Sequence, residues 1–253
     1  MQDGKGLALC ICFIPAYYFK APVTVEAESL FVLFVDIHFA ETLFSYILLS
    51  DDGCYYFSST AMIAEFTEVY TLPDTLLETL IRKLGGMDLF FLSSGIGSQN
   101  PDLKPEIELN TARTNVEGFT RMVTAAFNHF KNEGGGHIAV ISSIAGTKGL
   151  GIAPAYSATK RFQNTYIEAL AQLSRMQHLN IHFTDIRPGF VATDLLKSGK
   201  FPMLMQANQV AKSIVHALNR KKRVIVIDGR YRVVVFFWRM IPRWLWERLP
   251  IKN

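Results

Sequence analysis

The chain has 253 residues, 49% of them hydrophobic and 19% charged, which excludes a disordered chain and suffices for one α/β domain with a sizeable core. The net charge is +4, but residues 1–80 carry two basic and eleven acidic side chains, whereas the remaining 173 carry 24 basic and 11 acidic. No run of Lys and Arg is interleaved with aromatics as a nucleic-acid groove requires, so no nucleic-acid partner is expected.

The first seventy residues are rich in aromatic and apolar runs without strand-turn-helix punctuation, and no elements are placed there. The stretch "LALCICFIPAYYF" (7–19) lacks the basic flank and small-residue cleavage site of a secretory leader. Residues 30–49 are long enough to span a bilayer, but Asp36, His38 and Glu41 interrupt them, and they read as soluble core. Cys10, Cys12 and Cys54 fit neither a zinc site nor a disulfide framework, and the six histidines form no HxxxH or HExxH pattern, so no metal is expected.

From about residue 75 the elements alternate. "TLLETLIRKL" has helical apolar spacing and stops at Gly85 and Gly86, and "DLFFL" is a short apolar strand entering the turn "SSGIG". Between Thr111 and Lys131, Val116, Phe119, Val123, Phe127 and Phe130 recur at steps of three and four, which predicts an amphipathic helix ended by Gly134 to Gly136. "HIAVISS" reads as a strand, Tyr156 to Arg175 as a long helix and "IHFTDIRPG" as a strand. Ala207 to Asn219 follow as a helix and "RVIVID" as a last strand, with Lys221, Lys222 and Arg223 in a solvated loop before it. This order predicts a Rossmann-type doubly wound parallel sheet in three layers, with an atypical N-terminal βαβ region. Ligands bind beyond the carboxyl ends of strands in such sheets, where Ser93, Gly95, Ser143, Pro188 and Gly189 fall. Residues 1–230 are taken as one domain, with 1–74 a divergent cofactor half and 75–230 a catalytic half, and 231–253 as a basic, apolar tail.

In "YSATK" Tyr156 and Lys160 lie four apart and share a helix face. A free phenol titrates near about 10, too high for proton exchange at neutral pH, and a neighbouring ammonium favours the phenolate. Ser143 ends the preceding strand thirteen positions earlier, where its hydroxyl can hydrogen-bond the same substrate oxygen that the tyrosine protonates.

Residues 75–230 resemble the short-chain dehydrogenase/reductase family, on four motifs in family order: "TNVEG", "GHIAVISSIAG", "YSATK" and "RPGFVATDL". The resemblance implies a catalytic tetrad of Asn115, Ser143, Tyr156 and Lys160. It also implies a Pro-Gly turn at Pro188 and Gly189 followed by Thr193, which holds the nicotinamide carboxamide; as a residue, Thr193 also suits the N-cap of a following helix, and the two roles are compatible. Leu92, Ser93, Ser94 and Gly95 take the place of the family's Asn-Asn-Ala-Gly, so Ser93 and Gly95 are expected to line the cofactor along with Tyr156, Lys160, Pro188 and Gly189.

The family's phosphate fingerprint, Gly-x-x-x-Gly-x-Gly, is not closed by Gly95 and Gly97, because residue 91 is Phe91, and no glycine lies between Gly6 and Gly53. A divergent or mistranslated N-terminal segment, a pseudoenzyme that has lost the dinucleotide, and a different backbone arrangement around it all answer to this gap. The expected activity is hydride transfer between NADP or NAD, NADP preferred, and an alcohol or ketone carbon of a small or lipophilic molecule. A non-catalytic binding scaffold is the alternative. "DLLKSGKFPMLMQ" after Thr193 is the expected substrate lid, and its apolar character points to a lipophilic substrate. A homo-oligomer is expected, in the cytoplasm. For "RYRVVVFFWRMIPRWLWERLPIKN", peripheral membrane contact stands against packing on its own domain or across a dimer interface.

Overall fold

The structure is a computed structural model that describes residues 7–11, 31–33, 46–50, 53–57, 77, 81, 86–192 and 201–251. Its strands are β1 (Leu7–Ile11), β2 (Phe31–Leu33), β3 (Tyr46–Ser50), β4 (Gly53–Phe57), β5 (Leu89–Leu92), β6 (Gly136–Ile141), β7 (Ile181–Pro188), β8 (Val191–Ala192), β9 (Met205–Gln206) and β10 (Val224–Ile227). The main sheet runs β10-β7-β6-β5-β1-β2-β3-β4, and β8 pairs with β9 separately. The helices are α1 (Pro105–Ala112), α2 (Phe119–Asn132), α3 (Pro154–Met176), α4 (Ala207–Asn219), α5 (Gly229–Met240) and α6 (Arg243–Trp246). This is the α/β, Rossmann-type architecture expected, with one addition at the sheet's far edge. There β3 lies antiparallel to both β2 and β4, in the region where no elements were placed from sequence.

The chain divides into two compact units. The first contains the described residues up to Ser94 together with Glu117–Val140 and Leu173–His182. In it β1 runs parallel to β2 and β5, and β5 parallel to β6, from Leu89↔His137 to Leu92↔Val140. Phe90, Phe91, Leu92, Ile138, Ala139 and Val140 are all buried, the continuous apolar run of a strand covered on both faces. On α2, Val123, Ala126, Phe127 and Phe130 are buried at helical spacing, as the periodicity predicts. Gly134, at φ +85°, takes the left-handed conformation that ends this helix and turns the chain toward β6.

The second unit contains Gly95–Val116, Ile141–Gln172 and the described residues from Phe183 onward. Here β7 and β10 run parallel, from Val224↔Asp185 to Ile227↔Pro188. The helix expected from Thr111 begins earlier, at Pro105, whose fixed φ suits a first turn. Asn100 braces that start, accepting from the Lys104 N–H at 3.0 Å and donating to Glu108 Oε1 at 2.8 Å. From Arg113 to Gly118 the helix widens into a π turn before α2. Asp228 caps α5, accepting from the Arg230 and Tyr231 N–H groups. Pro242 separates α5 from α6, and Trp246 of α6 is buried, its indole N–H donating to Gly149 O at 2.7 Å. Lys148 donates to Ile241 O at 2.8 Å and lies over the Trp246 ring.

Candidate active site

In the second unit, Ser142 and Ser143 follow Ile141, the last residue of β6. Ser143 is extended, and its hydroxyl accepts from the Ala145 N–H at 3.1 Å, which starts the single 3₁₀ turn Ile144–Thr147. The same hydroxyl reaches Pro188 O at 3.5 Å and shares a hydrogen bond with the Tyr156 phenol. Ser142 donates to the carboxylate of Asp185, which is fully buried and also held by Arg187 at 2.6 and 2.8 Å.

Tyr156, Lys160 and Gln163 follow one another along the inner face of α3. Lys160 Nζ donates to Ile141 O at 3.1 Å and to Gln163 Oε1 at 3.0 Å, and stands 5.8 Å from the Tyr156 ring centroid. The π turn holds Asn115, which is fully buried. Its amide bonds the Ile96 backbone in both directions, donating to the carbonyl at 2.7 Å and accepting from the N–H at 2.9 Å. It also donates to Thr159 Oγ1 at 3.1 Å, and its own backbone carbonyl accepts from Gln163 Nε2 at 3.0 Å.

The loop clamped in this way packs bare backbone against the two ionisable groups. A Cβ at Gly95 would lie 3.1 Å from Lys160 Nζ, and one at Gly97 would lie 2.3 Å from Tyr156 Cδ2. Across the site, a Cβ at Gly189 would come within 2.2 Å of Tyr231 Cζ. Glycine is required at 97 and 189 for close approach rather than for an unusual φ.

Burial raises the Tyr156 phenol above its ordinary range, and the Ser143 hydrogen bond pulls it back. Burial brings Lys160 down to about 8, with the Asp185 carboxylate opposing. A partly neutralised ammonium beside a phenol held protonated is an arrangement suited to exchanging one proton with a bound oxygen.

Asn115, Ser143, Tyr156, Lys160, Gly95, Pro188 and Gly189 therefore come together in one unit. Ser93 directly follows β5 in the first unit. Its hydroxyl and that of Ser94 are buried with no hydrogen-bond partner among the described residues, so polar atoms are available there to a ligand. Thr193, most of the expected lid and the region of the missing phosphate fingerprint lie outside the described residues. Among the described residues no group of three or more His, Cys, Asp or Glu could hold a metal ion, and no helix is long and apolar enough to cross a membrane. Sequence reasoning passed over Gln163, Gly97, Asp185 and Tyr231. For Gln163 a signal existed, since it occupies the same helical phase as Tyr156, Lys160 and Ile167.

Residues 63–200, more than half of the chain, match the family model described as short chain dehydrogenase. The chain belongs to this family. As a short chain dehydrogenase it is an NAD(P)-dependent oxidoreductase acting on a small molecule. It is 28% identical over 184 residues to an uncharacterized oxidoreductase of Myxococcus xanthus, covering 70% of this chain and 72% of that one. It is 26% identical over 172 residues to a sepiapterin reductase of Chlorobaculum tepidum, covering 66% and 68%. A short chain dehydrogenase/reductase from Burkholderia phymatum, solved in complex with NAD, superposes with a TM-score of 0.60 over 71% of this chain and 74% of that one at 16% identity, a likeness of fold.

Proposed function

We propose that this short chain dehydrogenase interconverts an alcohol and a ketone of a lipophilic small molecule, with NADP preferred over NAD. The observation that carries the reading is the half-buried Tyr156, its phenol hydrogen-bonded to the Ser143 hydroxyl with Lys160 beside it. The dinucleotide, when bound, supplies or takes up the hydride. Tyr156 gives the proton to the substrate oxygen or receives it, and Ser143 orients and polarises that oxygen. Lys160 uses two of its three N–H donors on Ile141 O and Gln163 Oε1, which leaves the third for a cofactor hydroxyl. Asn115 holds the loop at Ile96 and so fixes the wall of Tyr156. Ser93, Pro188, Gly189 and Thr193 are assigned to the nicotinamide end. Phe190 and Phe201, with ring centroids 5.0 Å apart, and Leu204, 43% exposed, support a lipophilic substrate.

Fluorescence titration with NADPH and NADH tests the reading. Micromolar binding, NADPH the tighter, is expected, and binding of neither overturns it. The scaffold alternative predicts that second outcome.

A second reading concerns the C-terminal helices. Val233, Phe236, Phe237 and Met240 project from one face of α5, and Phe237 and Trp244 are 61% and 60% exposed. Residues 229–253 carry six basic side chains and one acidic. An apolar stripe flanked by arginines supports peripheral contact with an anionic membrane surface, at which a cytoplasmic protein would dock. Flotation with vesicles containing phosphatidylserine, with and without Phe236→Ser/Phe237→Ser, checks it; equal flotation of the two proteins sinks it. The family resemblance supports a homo-oligomer, which light scattering measures.

A further inference from the structure

We propose that Gln163 is a positioning residue, whose side-chain amide bridges Lys160 Nζ and the Asn115 carbonyl and so fixes the direction of the ammonium beside Tyr156. The inference rests on the assignment of Lys160 and Tyr156 as the working pair.

The chemistry of the two partners dictates the orientation of the amide. An ammonium only donates and a carbonyl only accepts, so Oε1 must face Lys160 and Nε2 must face Asn115. The distances are 3.0 Å on each side. No charged or apolar side chain of this size satisfies both at once, because a carboxylate lacks the donor and leucine lacks both groups. Gln163 is fully buried, so water does not replace either bond when one is lost.

The bridge completes a continuous path. The Ile96 backbone is held by the Asn115 side chain, the Asn115 carbonyl by Gln163, Gln163 by Lys160, and Lys160 by Ile141 O at the end of β6. With two N–H groups of Nζ anchored, tetrahedral geometry sets the direction of the third. The amide oxygen also favours the charged form of Lys160 against burial. The ionisable groups facing Nζ are Asp185 on β7, itself paired with Arg187, and Tyr156 on the same helix. Residues 95–97 and Asn115 contribute only neutral groups.

The test uses the full chain with ¹³Cε-labelled lysine and two variants close in shape, Gln163→Leu and Gln163→Glu. The NMR titration of Lys160 is read first, since it needs no turnover. Leucine removes the acceptor, so Lys160 should bind its proton about tenfold more weakly. Glutamate supplies an anion and should shift the titration the opposite way. In turnover, kcat of Gln163→Leu should fall about tenfold or more, with its alkaline limb moved to lower pH and the substrate KM nearly unchanged. An unchanged Lys160 titration in both folded variants overturns the inference. So does a loss of kcat that tracks thermal stability without moving the pH profile. Should Gln163→Leu fail to fold, the upward shift in Gln163→Glu decides alone. A wild-type chain without turnover would count against the proposed function, while the lysine titration would still decide the role of Gln163.

Discussion

Gly97→Ala tests whether Tyr156 acts from its observed position. The added Cβ would lie 2.3 Å from Cδ2, 2.7 Å from Cε2 and 3.0 Å from Cγ of Tyr156. Contact with Cγ, near the root of the side chain, rules out relief by moving the phenol tip alone. To restore an ordinary 3.4 Å contact from 2.3 Å, ring and loop must separate by about 1.1 Å. Such overpacking typically costs about 1–3 kcal/mol of stability. A misplacement of about 1 Å at a reacting group costs on the order of 10²-fold in rate. The variant should therefore remain folded, with Tm lowered by several degrees, and lose about two orders of magnitude in kcat. Gly151→Ala is the matched control, because a Cβ there meets nothing within 4 Å. Steady-state kinetics with a ketone substrate and a thermal melt measure both effects. A Gly97→Ala enzyme with kcat within about twofold of wild type would refute the reasoning, since the phenol would then tolerate displacement.

Tyr156→Phe keeps the ring and removes the proton, so turnover should vanish while the circular dichroism spectrum stays unchanged; retained activity moves the proton elsewhere. Lys160 titrates near about 8 rather than 10.5, so kcat/KM should fall above about pH 8 as the ammonium discharges. For stability the sign runs the other way. Below pH 8 both states are protonated and the burial penalty is present in full, and between about 8 and 10.5 the unfolded chain holds a proton the folded one has lost. Stability relative to Lys160→Met should accordingly rise by about 3 kcal/mol across that window, and denaturant midpoints that stay parallel would contradict it. Trp246→Ala removes a buried indole and its bond to Gly149 O, and should cost about 3–5 kcal/mol; a change below about 1 kcal/mol would mean that α6 does not stabilise the fold.

Where periodicity and local chemistry agree, the sequence was readable to the residue. Helix α4 runs from Ala207 to Asn219 as expected, and Asn115, Ser143, Tyr156 and Lys160, from three of the motifs, lie in one unit. Helix α1 was missed at its start because "PEIELN" has no apolar repeat, and what holds it there is a brace from Asn100. The two-residue strands β8 and β9 are too short for any pattern to register. Gln163 escaped notice because glutamine is ordinarily a surface residue, and the carbonyl that explains its burial belongs to Asn115, 48 positions away. Residues 7–52 offered neither punctuation nor glycine, and β1 is defined by its pairing with the distant β2 and β5.

The Tyr231 hydroxyl accepts from the Phe190 N–H at 3.1 Å and donates to Pro202 O at 2.8 Å, so a single side chain of α5 ties both ends of the segment between them. That segment has eleven residues. Closing a loop depends only weakly on its length, and doubling it adds about 0.6 kcal/mol. Insertions between Phe190 and Pro202 are therefore thermodynamically cheap as long as Tyr231 keeps its two bonds. The stretch that follows the Pro-Gly turn can be lengthened while Ser143, Tyr156 and Lys160 keep their places.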